Sequence, residues 1–363
     1  EQTPGVRFTS ESRKRIITLL AACGIGEIEA GVPAGGYTAV LTVRHVRNFT
    51  QGIPVSVWCR LRESDVKSAF ITGADIIHVS VPCSPFHTAA GSMDTEKLID
   101  RLDSIETLVT GAGKALSLGF QDSFRTPLSK IRTLSEWAGR RGVFRVRLSD
   151  TVGSASPQQV SALVREVKSV FSGEINFHGH NDFGLATANT LAAIEAGAGS
   201  ADVTVNGLGE RAGNACMHEV VMNLCCGGTY TTGVYPERMA ELSRFVSACS
   251  GRMLPENSPF LGKAVYTHES GVHCHGLTKN PLAYQPFVPE RYGIGETRAV
   301  FGSSSGKSSV VYMLNRCGID PDPADISPFL SLCRSALSRL PGCLCEKDLL
   351  SLYQKYKSGE AVL

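Results

Sequence analysis

The chain has 363 residues, 42% of them hydrophobic and 19% charged, with 36 Lys and Arg against 34 Asp and Glu. That is the composition of an ordinary globular protein, one large domain or two smaller ones, and a net charge of +2 supplies no basic surface for nucleic acid or an anionic membrane. No apolar run reaches the roughly 18 residues of a membrane span, and no signal-peptide pattern opens the chain. Twelve cysteines are scattered through mostly apolar segments without a CxxC pair, which reads as free thiols in a reducing cytoplasm rather than disulfide staples.

The sequence starts at Glu1 without a methionine. Its first regular pattern, "SESRKRIITLLAACG", is helical, with Ile16, Ile17, Leu19 and Leu20 on one side and Gly24 as a stop. Strand-like runs then recur at 25–33, 54–60, 74–82, 115–122, 143–150, 174–182 and 201–209. Helical periodicity fills gaps between them, as at 95–113, 156–171 and 185–198. Strand alternating with helix predicts a parallel sheet, and seven such units predict an α/β chain folded as a (β/α)8 TIM barrel over residues 1–250. Strand one of that barrel is then expected just before Glu1, with the chain truncated there and two strand edges left unpaired.

An open doubly wound sheet is the alternative. Against it, no GxGxxG follows a first strand. Polar residues also close nearly every strand-like run (Glu29, Arg60, His78, Gln121, Asp150, His178, His180, Asn206), as a ring around one barrel mouth would require. From about residue 251 the chain becomes rich in Pro, Gly and His, followed by helical patterns at Lys307–Arg316, Ser327–Leu340 and Glu346–Lys357. Residues 251–363 are therefore expected to be a linker with small, mostly helical C-terminal subdomains.

Four stretches carry the chemistry. In "INFHGHNDFGLATANT", His178 and His180 sit two apart, so in a strand both imidazoles point the same way at its C-terminal end. Two neutral imidazoles there are either a pair of divalent-metal ligands or hydrogen-bonded loop residues. In "NGLGERAGNACMHE", Gly207, Gly209 and Gly213 permit tight turns beside a ligand, and Asn214 is expected to open the next helix facing the mouth, the alternative being a plain N-cap. "SDTVG" places Thr151 after a strand end, where its hydroxyl and N–H suit a carboxylate, unless it is simply a turn. "THESGVHCHG" puts His268, His273 and His275 in what reads as a polar loop. These are acid–base groups, a second metal site or solvated residues, and Tyr284 is close enough to share a proton.

Taken together, "INFHGHNDFGLATA", "VNGLGERAGN" and "THESGVHCHGLTKNPLAYQPF", in that order, resemble the homocitrate synthase and isopropylmalate synthase family. "EIEAGVP", "VWCR", "SDTVG" and the opening "EQTPGV" fit too. The likeness runs from Glu1 to about Ser305 and is nearest to homocitrate synthases of the nitrogen-fixation type.

The resemblance implies a metal-dependent TIM-barrel enzyme that condenses acetyl-CoA with a 2-oxo acid by a Claisen reaction. His178, His180 and Asn214 match its residues at the metal (Mn, Mg or Zn). Thr151, Gln2 and Glu1 match its substrate-binding positions, and His273 and Tyr284 its acid–base groups on the acetyl-CoA side. It also implies a homodimer.

Three departures stand out. The family's Arg and acidic metal ligand would precede Glu1. Gln121, in "FQDSFR", replaces a catalytic glutamate, and an amide cannot titrate. "GSSSG" at Gly302–Gly306 replaces "GKHSG". Ser117 stands where lysine-pathway homocitrate synthases carry Arg, which leaves 2-oxoglutarate, handled as in the nitrogen-fixation type, as first choice of substrate. An isopropylmalate- or citramalate-type synthase, a related lyase and a catalytically impaired paralogue are the alternatives.

Overall fold

The computed structural model describes residues 2–50, 52–87, 94–227 and 230–360. The chain forms two compact units that meet in sequence at Met253 and Leu254. The first holds seven parallel strands in chain order, β1 (Ile28–Glu29), β2 (Val55–Arg60), β3 (Ile76–Pro82), β4 (Ala115–Gln121), β5 (Arg145–Asp150), β6 (Glu174–Gly179) and β7 (Ser200–Asp202). Among the described residues β1 and β7 are the edges of the sheet. Its helices are α1 (Ser10–Ala22), α2 (Tyr37–Arg47), α3 (Glu63–Phe70), α4 (Thr95–Gly111), α5 (Leu128–Arg140), α6 (Pro157–Lys168), α7 (Ala186–Ala196), α8 (Met217–Cys226) and α9 (Met239–Ser250).

Local chemistry explains where the helices sit. On α4, Leu98, Leu102, Ile105 and Val109 make one buried stripe. The α6 helix starts on a reciprocal Ser156–Gln159 capping box with Pro157 in its first turn. The α7 helix, "ATANTLAAIEA", is alanine-rich and ends on Gly197 in the left-handed region.

The strands obey a strict division of labour. Val55, Val57, Ile77, Val79, Leu116, Leu118, Val146, Leu148, Ile175 and Phe177 are buried in one continuous hydrophobic cluster with the helices. The alternate residues are largely polar: Ser56, His78, Ser117, Arg145, Arg147, Asn176 and His178. Period-two alternation thus packs one face of the sheet with hydrocarbon and fills the other with hydrogen-bonding groups.

That polar face also shows that the sheet curls. In a flat sheet β1 and β5, four strands apart, would be roughly 19 Å from each other, beyond the joint reach of an arginine and a glutamate. Yet Arg147 on β5 donates to Glu29 on β1 at 2.8 Å, and Arg145 meets Glu27 at 2.6 Å. The ion pairs close across the concave side as in a barrel.

The second unit contains a two-stranded parallel ladder, β8 (Thr267–His268) with β9 (Arg298–Ala299), and helices α10 (Gly271–Lys279), α11 (Lys307–Arg316), α12 (Pro323–Leu337) and α13 (Glu346–Ser358). Its own core is built from Cys274, Phe301, Val310, Met313, Phe329, Cys333 and Leu349. The stretch read as the loop "THESGVHCHG" is instead β8 followed by the start of α10.

No cysteine pair forms a disulfide. Burial pushes the thiols of Cys59, Cys83 and Cys333 up to about 12, so they are protonated, unreactive core groups. Among the described residues no helix is long and apolar enough to cross a membrane.

Arg145, 7% exposed, is held by Glu27 and Glu174. Its replacement by Met strands two partly buried carboxylates and should cost about 3 kcal/mol in urea unfolding. Arg132→Ala, which breaks exposed pairs to Glu136 and Glu166, should cost less than about 1 kcal/mol in the same assay.

Candidate metal centre

The His178 and His180 side chains converge at the C-terminal end of β6. Their Nε2 atoms are 3.3 Å apart, with ring planes at 79°. On the far side of His178, Nδ1 lies 3.0 Å from Asp202 Oδ2 at the end of β7. The carboxylate accepts the Nδ1–H hydrogen bond, which fixes the tautomer and leaves Nε2 with a lone pair. Two imidazole nitrogens this close need a proton or a cation between them. Burial pushes His180 down to about 4, with His178 and Arg211 adding to the effect, so the proton is disfavoured.

The arrangement fits a divalent ion. Two nitrogens bound at about 2.05 Å and at a tetrahedral angle would lie about 3.3 Å apart. Asn214 is joined to His180 by an isolated antiparallel backbone bridge, and its Oδ1 is buried without a hydrogen-bond partner among the described residues. The Nδ1 of His180 is likewise buried and unpartnered. Asn214 does not open a helix, as the sequence suggested. Cys216 is the N-cap of α8, and Asn214 lies two residues earlier in the bridge.

Asp202 and Arg147, not singled out from the sequence, organise the pair. Arg147 Nε lies 2.9 Å from Asp202 Oδ2, and the same guanidinium bonds Asn176 and Glu29. Burial alone would raise the Asp202 carboxyl, but Arg147 and His178 outweigh it and hold it well below the usual carboxylate range. One signal was legible: arginine twice inside the strand pattern "FRVRLSD" demands buried carboxylates.

Three loops are locked together around this end of the sheet. Arg211 grips Asp182 with two nitrogens, at 2.8 and 3.0 Å, and donates to the Thr151 carbonyl at 2.8 Å. Asn181 N–H bonds Gly213 O, and Ala215 N–H bonds Gly179 O. Gly153, at φ +60°, allows this closure, because a Cβ there would lie 2.5 Å from the Asp182 carboxylate. Thr151 Oγ1 accepts the Asp122 N–H at 2.9 Å, which leaves its hydroxyl proton free to donate to an anion.

The remaining sequence candidates fall as follows. Gln121 is half-buried at the C-terminal end of β4, one residue beyond the Phe120–Leu148 register pair, and so at the same end of the sheet as His178. Gln2 is exposed, and Glu1 lies outside the described residues.

Two members of the proposed polar ring belong elsewhere. Asp150 lies on the alternate with Val146 and Leu148, and its carboxylate accepts the N–H groups of Ser154 and Ala155. Asn206 donates to Ser243 O of α9. In the second unit the His273 ring stacks on Tyr284 with centroids 4.1 Å apart, and His268 meets His273 edge-on at 5.6 Å. Gly276 makes the stack possible, since a Cβ there would enter the Tyr284 ring. His275, two residues along α10 from His273, is exposed. In "GSSSG", the Ser304 N–H and Ser305 hydroxyl bond Glu269, whose carboxylate fills the space a Cβ on Gly302 would need.

A family model described as HMGL-like matches residues 1–246. The chain belongs to the HMGL-like family. A second model, the homocitrate synthase post-HMGL domain-like family, matches residues 260–336. Within the HMGL-like enzymes, the chain is 34% identical to homocitrate synthase 1 of a Nostoc species over 99% of its length and 96% of the relative's. It is 34% identical to 2-isopropylmalate synthase 2 of Caldanaerobacter subterraneus, covering 98% and 92%. It is 33% identical to 2-phosphonomethylmalate synthase of Streptomyces rubellomurinus, covering 98% and 95%. The HMG-CoA lyase of Bacillus subtilis has the same fold, with a TM-score of 0.62 at 21% identity over 70% of this chain and 91% of that one.

Asp202→Asn removes the charge that orients His178 and should weaken Zn²⁺ binding about 10- to 100-fold in calorimetric titration. Gly153→Ala should lower stability by more than about 1 kcal/mol in urea unfolding, because both its φ and its contact with Asp182 oppose a side chain.

Proposed function

We propose that this HMGL-like enzyme condenses acetyl-CoA with a 2-oxo acid, most readily 2-oxoglutarate, to give homocitrate. The observation that carries the reading is the convergence of the His178 and His180 Nε2 atoms at 3.3 Å, on a chain 34% identical to a named homocitrate synthase over nearly its whole length.

In this reading His178, His180 and Asn214 hold the divalent metal. When bound, it supplies the Lewis acidity that polarises the keto group and stabilises the alkoxide formed. Asp202 keeps the His178 Nε2 lone pair directed at the site. Thr151, its hydroxyl proton free, donates to the substrate carboxylate. Gln121 holds substrate by hydrogen bonds only, so proton movement falls to His273 and Tyr284: this pair accepts a proton from the acetyl methyl, the carbanion attacks the keto carbon, the pair returns a proton to the former keto oxygen, and water then cleaves the thioester to release CoA. A homodimer belongs to this reading, and the mass in solution checks it.

The choice of 2-oxoglutarate rests on the relatives, among which homocitrate synthases recur.

The test is mass spectrometry of products from acetyl-CoA, Mn²⁺ and a panel of 2-oxo acids: 2-oxoglutarate, 2-oxoisovalerate, pyruvate and 3-phosphonopyruvate. A homocitrate mass is expected. A product with another acid alone would reassign the substrate, and no product from folded, metal-loaded protein would overturn the reading. His273→Gln should lower kcat by about 10²- to 10⁴-fold. Gln121→Glu should change it by less than about tenfold; a gain of about 10²-fold would show that proton transfer had been lost with the carboxylate.

A further inference from the structure

The start of α8 brings together a second set of donors that the proposed reaction leaves unused. Cys216, the N-cap residue, places its Sγ 3.3 Å from His218 Nδ1. Glu219 follows, and one ligand atom from each of the three lies within 4.8 Å of the others. Cys216 and His218 are 8% and 2% exposed. Two of the three are held in place from outside the cluster: Cys216 pairs with Thr204 in a parallel bridge, and the Thr187 hydroxyl of α7 donates to Glu219 Oε2 at 2.7 Å.

We propose that Cys216, His218 and Glu219 form a second, structural metal site that takes Zn²⁺ or another thiophilic divalent cation. A thiolate, an imidazole and a carboxylate are a zinc donor set, and a contraction of about 1 Å brings them within bonding distance of one ion, with water completing the tetrahedron. The His178–His180–Asn214 set contains no sulfur, so the two sites differ in kind. The helix N-terminus opposes a cation, with the equivalent of about half a positive charge. A thiolate and a carboxylate together carry two negative charges, which outweighs it. Binding displaces one proton, from the Cys216 thiol. The ion stiffens the start of α8 and the stretch that carries Asn214, two residues upstream of Cys216.

The experiment is Co²⁺ titration of the full chain after chelator treatment, followed by absorption. A near-ultraviolet thiolate-to-cobalt charge-transfer band should grow to one equivalent per chain and be displaced by Zn²⁺. It should persist in His178→Ala and vanish in both Cys216→Ala and His218→Gln, each checked for folding by circular dichroism. The His218 variant keeps the thiol, so its loss of the band cannot be ascribed to a missing sulfur alone. No charge-transfer band in the wild-type chain, or a band that survives Cys216→Ala, would overturn the proposal.

Discussion

Arg147 carries a full charge on the concave face of the sheet, out of reach of bulk water, and much around it is arranged to compensate. Glu29, Asn176 and Asp202 each take part of the guanidinium. Burying such a charge is tolerable only when every donor finds a partner and the charge is matched. Asp202 then does two things with one oxygen: it neutralises Arg147 and accepts the hydrogen bond of the His178 Nδ1–H. The direction of the His178 lone pair therefore follows from how the interior charge is balanced. The same balance explains why β1 curls toward β5 instead of lying flat.

The loops add the second half of the site. His180, Asp182 and Gly213 lie beyond the regular strands, where hydrogen bonds between successive strand–helix connections replace sheet pairing. Arg211, itself at φ 55°, links the Thr151 and Asp182 loops. Gly153 and Gly213 supply backbone angles that a side chain would oppose; a Cβ on Gly153 would strike the Asp182 loop, and one on Gly213 would strike the Gly207 carbonyl within its own loop. The convergence of the two imidazoles thus depends on a few positions where only a hydrogen atom fits.

Strand positions from β2 to β6 were legible because their outward alternates are apolar except for Asp150 at the end of β5, and helices such as α4 and α6 because their buried stripes and caps are local. β7 was read too long. "ADVTVNGLG" alternates like a strand, but the chain turns after Asp202, and Asn206 is fixed by Ser243 of α9, a contact no local pattern announces. The α10 helix was hidden by Gly271 and Gly276, which weaken helix propensity. Gly276 is there to admit the Tyr284 ring. In the site, the histidine pair was visible as a motif, and Asn214 through its glycine-rich setting. Asp202 was not, since a lone carboxylate at a strand end acquires its role only when β6 and β7 pair in the register His178–Asp202. Asp150 shows the converse. Counting by twos from Arg145 and Arg147 places it on the outward face, and its position in the proposed ring ignored that parity.

The central claim is that His178 and His180 ligate one divalent ion together. Electron spin-echo envelope modulation of the Mn²⁺-saturated full chain tests it directly, because Mn²⁺ favours nitrogen and oxygen over thiolate and the imidazole nitrogens modulate its echo. Two directly bound imidazole nitrogens per Mn²⁺, falling to one in His180→Ala, is the predicted result. A spectrum with no bound imidazole nitrogen, or one unchanged by that substitution, would contradict the account.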